Sequence, residues 1–127
     1  MSIIVLLADD SEVVRKAIAI LLEDDPEIEM VGECGSFAQT IEIAANLHPQ
    51  IIVLDVHLRD ERTVTPIQIK SSLVGSCVLA ISVWTDAETK AVADSYGAVA
   101  LLDKSRLAAD LIPAMRRCTD DPRILPV

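Results

Sequence analysis

At 127 residues the chain suits one domain and is long enough to bury a core. Its residues are 51% hydrophobic but only 2% aromatic, so Ile, Leu, Val and Ala must build that core, a composition fitting a parallel sheet covered by helices. Asp and Glu number 20 against 11 Lys and Arg, and the net charge of −9 argues against this domain itself gripping a nucleic-acid backbone.

Ile3 to Ala8 reads as a first strand, and "VLLADDSE" carries it straight into two adjacent carboxylates, Asp9 and Asp10. No basic leader precedes the apolar run of "MSIIVLLADD", and the run is too short to span a bilayer, so a cytoplasmic protein is expected. From Ser11 to about Glu23, Val14, Ala17, Ile18 and Leu21 recur at helical spacing. A turn at "DDPE" leads to a second strand, about Ile28 to Glu33. Ser36 can cap a second helix that buries Phe37, Ile41, Ala44 and Ala45 and stops at Pro49.

"QIIVLDV" is the most apolar strand and has Asp55 at its end. Thr65, Pro66 and Gln68 form a helix start with a capping box, and Gly75 closes that helix. "CVLAIS" gives a fourth strand ending on Ser82. Asp86 caps a fourth helix with a weak apolar stripe that ends at Gly97, and "AVALLDK" is a fifth strand ending near Lys104. Leu111, Ala114, Met115 and Cys118 mark a last helix. Pro113 lies either in its first turn, with Asp110 as the cap, or at a kink; the first is preferred. "TDDPRILPV" reads as a tail or linker, which divides the chain into a domain at 1–118 and a tail at 119–127. Cys34, Cys77 and Cys118 are odd in number and widely spaced, so reduced thiols are expected. With only His48 and His57 to help and no CxxC, a zinc site is not.

Such regular alternation predicts a doubly wound α/β fold with a five-stranded parallel sheet. Its strands then deliver Asp9, Asp10, Asp55, Ser82, and Asp103 with Lys104 to one edge, where these folds carry their sites. Any one of these residues alone could be a cap or a solvated charge; together at successive strand ends they are hard to explain by capping. Crowded carboxylates call for a hard cation such as magnesium, which suits a few carboxylates plus waters and a phosphate. An aspartate can also act as a nucleophile toward phosphorus, with Lys104 and the Ser82 hydroxyl neutralising phosphoryl oxygens.

"LLADDSEVVRKAI", "PQIIVLDVHL", "VLAIS" and "ALLDKS" together resemble the receiver (CheY-like) domain of bacterial two-component response regulators, from about Ile3 to Cys118. "PEIEMVGECGSFAQTIEIAANLHPQIIVLD" further resembles the NarL/FixJ (LuxR-type) branch. The resemblance implies a flavodoxin-like fold of strand order 2-1-3-4-5 with helices on both faces, and Asp55 as phosphoacceptor. It implies Mg2+ on Asp10, Asp55 and the backbone carbonyl of His57, with Asp9 acting through water. Lys104 would contact the phosphoryl group and Ser82 would be the switch hydroxyl. A sensor histidine kinase or a small phosphodonor would supply phosphate. The output surface, and a homodimer contact, would be the fourth helix, fifth strand and fifth helix; DNA would be reached only through a separate effector domain.

Two features depart from that pattern. Leu101 stands where the family often has an aromatic that swings inward, and "VHLRDERT" after Asp55 has no glycine or proline, so that loop should be more mobile or differently shaped. His57 and Trp84, two places beyond Asp55 and Ser82, either pack as ordinary loop residues or restrict the water that would attack phospho-Asp55. Two further functions compete: an aspartate-based phosphohydrolase, against which His57 stands where a second acid is expected, and a degenerate receiver serving as a binding scaffold. A nucleotide or flavin binder is weaker, because no glycine-rich loop follows the first strand. The expected activity is phosphate acceptance rather than turnover.

Overall fold

Chain order alternates strands with helices throughout. The computed structural model describes residues 2–120. The strands are β1 (Ile3–Ala8), β2 (Ile28–Cys34), β3 (Ile51–Asp55), β4 (Cys77–Ser82) and β5 (Ala100–Asp103). Between and after them lie α1 (Glu12–Glu23), α2 (Phe37–Leu47), α3 (Pro66–Ser72), α4 (Ala87–Ser95) and α5 (Leu107–Asp120), the last preceded by a 3-10 turn at Lys104–Arg106. All pairings are parallel and the order is β2-β1-β3-β4-β5. The expected doubly wound sheet is therefore present. Among the described residues no helix is long and apolar enough to cross a membrane.

The side-chain period of two splits each strand between two cores. Val5, Leu7, Val53, Leu79 and Ile81 face α1 and α5, where Ile18, Leu22, Leu111 and Met115 cover them. Leu6, Ala8, Ile52, Leu54, Val78 and Ala80 face Phe37, Ala44, Ile69 and Ala93 of α2, α3 and α4. β3 and β4 are buried along their whole length, so their only polar residues, Asp55 and Ser82, stand out at their C-terminal ends.

Local chemistry sets the helix starts. Ser11, Ser36 and Thr65 are extended N-caps whose hydroxyls accept from Val14, Gln39 and Gln68 N–H. Asp86 caps α4 by position, but its carboxylate takes the Thr89 hydroxyl rather than a backbone N–H. Gly97 follows α4 at φ +84°, in the left-handed region where a side chain would be strained, and a Cβ there would crowd Lys70 Cγ at 3.2 Å.

Four expectations need correction. α5 begins at Leu107, so Pro113 lies inside it rather than in a first turn capped by Asp110. Proline there removes one backbone donor, whereas the apolar face of Leu107, Leu111, Ala114, Met115 and Cys118 is gained. In α2 Ala45 is exposed and Thr40 takes the buried place, its hydroxyl donating to the Ser36 carbonyl at 2.7 Å. Residues 37, 40, 41 and 44 share a helical face from which 45 is rotated away. Cys77 and Cys118 form a disulfide, and only Cys34 is a free thiol. The start of β4 lies beneath the last turn of α5, a proximity that Cys count and spacing cannot reveal. Finally, α5 runs two residues past the expected boundary at 118; the rest of the expected tail, 121–127, lies outside the described residues.

Candidate functional site

β1 ends in Asp9 and Asp10, and Ser11 alone caps α1. Asp9 is fully buried. Its Oδ1 accepts the Ser11 N–H at 2.8 Å, and the Arg15 guanidinium holds its backbone carbonyl at 2.6 Å. Asp10 is exposed, and its carboxylate makes no hydrogen bond or ion pair among the described residues. Helix capping therefore explains neither the Asp10 carboxylate nor the second oxygen of Asp9.

Asp55, 5% exposed at the end of β3, places a carboxylate oxygen within 4.8 Å of oxygens of both Asp9 and Asp10. Its Oδ1 accepts the His57 N–H at 3.0 Å. Lys104, just past β5, reaches back across the sheet edge: Nζ lies 2.7 Å from Asp9 Oδ2 and 3.1 Å from Asp55 Oδ2. Asp9 Oδ2 has no well-aligned hydrogen bond, so its contact with Lys104 is an ion pair and that buried oxygen keeps unfilled bonding capacity.

The electrostatics follow from burial. Dehydration pushes the Asp55 carboxyl above its ordinary range and Asp9 adds to this, while the His57 N–H and Lys104 pull the other way. Burial opposes the charge on Lys104, yet Asp9 and Asp55 together outweigh it and hold its pKa above the usual value. One ammonium among three carboxylates leaves the cluster negative. These oxygens are hard donors, close together, with the Asp10 carboxylate unpartnered among the described residues, and they fit a divalent magnesium ion.

Ser82 ends β4, one residue beyond the register partner of Asp55; it is buried, and its hydroxyl accepts the Trp84 N–H at 3.1 Å. Trp84 is 62% exposed and meets the His57 ring edge-on at 6.1 Å, at the mouth of a cleft also lined by Asp86, Thr89 and Val92. Leu101 is half-buried and packs against the α2–α3–α4 core. Asp103 does not join the cluster: its Oδ1 accepts the Ser105 N–H and hydroxyl, which lowers its pKa and caps the 3-10 turn.

The loop after Asp55 is anchored without glycine or proline. Leu58 is 1% exposed, His57 Nδ1 lies 3.0 Å from Glu61 Oε2, and Asp60 accepts the Phe37 and Ala38 N–H groups at 2.8 and 3.0 Å. Asp60 thus serves the N-terminus of α2 from 22 residues away. Sequence reasoning missed it because its partners lie 22 and 23 residues away, and missed Arg15, which joins the Asp9 carbonyl to Glu33, 18 residues further on.

The family model for the response regulator receiver domain matches residues 5–116. A protein-glutamate methylesterase/protein-glutamine glutaminase of Syntrophus aciditrophicus is 31% identical over 96% of this chain and 41% of its own length. The transcriptional regulatory protein LiaR of Bacillus subtilis is 30% identical over 88% of this chain and 54% of its own length. The chain thus spans about half or less of these relatives. In fold it is similar to the response regulator domain of Thermotoga maritima CheB, with TM-score 0.81, 22% identity and coverage of 96% of this chain and 100% of that one. The receiver domain of Escherichia coli RcsB gives TM-score 0.82 at 17% identity, covering 94% and 95%. With the strand order, the acidic cluster and the family match in agreement, the chain belongs to the response regulator receiver domain family.

Proposed function

We propose that Asp55 is the phosphoacceptor, with Mg2+ held by Asp10, Asp55 and the His57 backbone carbonyl and with Asp9 acting through water. The observation that carries this reading is the meeting of the Asp9, Asp10 and Asp55 carboxylates at one strand edge, with a single Lys104 ammonium shared between Asp9 and Asp55. The ion would supply charge neutralisation for phosphoryl transfer.

The residues divide the remaining work. An Asp55 carboxylate oxygen attacks phosphorus, forming the acyl phosphate as the bond to the donor's imidazole nitrogen or acyl oxygen breaks and the leaving group keeps its electron pair. Lys104 transfers its pairing from Asp55 to a phosphoryl oxygen. The Ser82 hydroxyl, whose oxygen accepts the Trp84 N–H, has its own proton to donate to another phosphoryl oxygen. Two states that differ in how closely these groups approach the phosphate can be switched; moving from mostly inactive to mostly active needs about 5.5 kcal/mol of differential interaction. His57 and Trp84 shield the ester from water.

The donor is a sensor histidine kinase in the cytoplasm. Output runs through α4, β5 and α5, which also form the homodimer contact. Relatives carry two kinds of output, methylesterase and transcriptional regulation. The LuxR-type pattern favours transcription through a separate DNA-binding domain, and these residues themselves accept phosphate without turning over a substrate. The test is incubation with magnesium and acetyl phosphate, followed by intact mass and sizing. One phosphoryl group per chain, absent in Asp55→Asn, with a change in assembly, is expected; sustained turnover of a phosphate ester would instead favour a phosphohydrolase.

A further inference from the structure

We propose that the Tyr96 hydroxyl is a positioning group that ties the loop after Asp55 to α4, and that through it the state of Asp55 reaches that helix. This rests on Asp55 being the phosphoacceptor. Tyr96 caps the C-terminus of α4 and is 4% exposed. Its hydroxyl donates to the carbonyl of Val56, the residue after Asp55, at 3.4 Å and across 40 positions of chain. Its ring meets Phe37 edge-on, with centroids 5.2 Å apart. Phe37 in turn gives its N–H to Asp60 of the same loop. Residues 56–60 are therefore fastened to α2 through Asp60 and to α4 through Tyr96, with Leu58 buried in the same core.

Packing alone does not require the hydroxyl. A phenylalanine would fill the same space and keep the contact with Phe37. The phenol adds a polar group in a buried place, and the group it finds is the backbone beside the reacting carboxylate. Burial, with the charges of Glu61 and Asp55, raises the Tyr96 pKa, so the hydroxyl remains a donor at neutral pH. At 3.4 Å the contact is longer than the roughly 2.5–3.0 Å of an ordinary O–H···O bond, so the link is loose in this state and a small movement of Val56 tightens or breaks it. α4 itself buries only Thr89 and Ala93, which leaves Tyr96 as its main aromatic anchor. Leu101, packed against the same core, has no polar atom with which to form such a link.

The test compares wild type with Tyr96→Phe, before and after loading with magnesium and beryllofluoride or acetyl phosphate. Intact mass reports acetyl phosphate labelling of Asp55, and hydrogen exchange reports the amides of α4. In wild type, loading changes α4 exchange. In Tyr96→Phe, Asp55 still labels, but the change shrinks about fivefold, the factor corresponding to one lost hydrogen bond of about 1 kcal/mol. Tyr96→Leu, which also removes the ring, changes α4 exchange even without loading. A wild-type-sized response in Tyr96→Phe overturns the inference, as does a wild type that labels without any response in α4. If Tyr96→Phe takes no label where wild type does, the hydroxyl serves the chemistry and the inference is equally overturned. A wild type that takes no label removes the phosphoacceptor reading itself, and this inference with it.

Discussion

Replacing Lys104 by methionine removes the central charge of the acidic cluster while keeping the length of the side chain. The ammonium stands 2.7 Å from Asp9 and 3.1 Å from Asp55. At an effective dielectric of about 20 each contact represents roughly 5–6 kcal/mol of gross attraction. Much of that is offset by dehydrating the ammonium, and the side chain is still 17% exposed. Breaking a buried pair from one side costs about 3–5 kcal/mol, and the residual exposure puts Lys104 near ~3 kcal/mol. For a chain of 127 residues, at an unfolding entropy of about 2.1 cal/mol/K per residue, this lowers Tm by about 11 °C. Because the Lys104 pKa is raised above 10.5, its contribution is fully present at neutral pH and is lost only as pH rises through the higher folded value. The assay is thermal unfolding by circular dichroism, once in chelator and once in excess magnesium. The full deficit is expected in chelator, and most of it should vanish in magnesium, whose charge replaces the ammonium between the carboxylates. Equal deficits under both conditions, or none in chelator, would refute the reasoning.

The folded Asp55 pKa is raised above 3.8, so the native state binds its proton more readily than the unfolded chain. Its contribution is most favourable below 3.8 and falls as pH rises through the folded value, each unit of difference being about 1.4 kcal/mol. Asp55→Asn should therefore be more stable than wild type at neutral pH in urea titrations, with the gain shrinking toward acid; a less stable variant at neutral pH contradicts this. Reducing the Cys77–Cys118 disulfide, whose partners are 41 residues apart, should cost about 4 kcal/mol by the loop-entropy relation. Calorimetry with and without reductant checks it, and an unchanged Tm with the thiols shown free is the contrary result. His57→Ala with Trp84→Ala should speed loss of phosphate from Asp55 by up to about tenfold, a barrier change of ~1.4 kcal/mol. Decay of the label followed by mass decides it, and an unchanged or slower loss ends the shielding argument.

What the sequence disclosed and what it hid divide by range. Strand alternation, the caps at Ser11, Ser36 and Thr65, and the strand-end positions of Asp9, Asp10, Asp55 and Ser82 are local patterns, and the structure contains each of them. The convergence of Asp9, Asp55 and Lys104 was legible because a parallel sheet aligns its strand ends. Asp103 stands at a strand end like the others, but its Oδ1 takes both the N–H and the hydroxyl of Ser105. Asp9 and Asp55 instead each accept one N–H two residues on and turn the other oxygen to Lys104. The Cys77–Cys118 bond, the Asp60 cap on α2 and the Tyr96 contact with Val56 leave no local trace, because each joins segments 22 to 41 positions apart. Pro113 was misplaced because its penalty is local, whereas the burial that outweighs it comes from the sheet beneath α5. The loop after Asp55 lacks turn residues and is instead held by Leu58, Asp60 and Glu61, a solution that composition does not reveal.

Borohydride trapping after reaction with acetyl phosphate examines the acceptor most directly, because it converts an aspartyl phosphate to homoserine that peptide mass spectrometry can place. Homoserine at position 55 alone, formed with magnesium and suppressed by chelator, is the predicted result. Homoserine at another residue, or equal yield without the metal, would contradict the account.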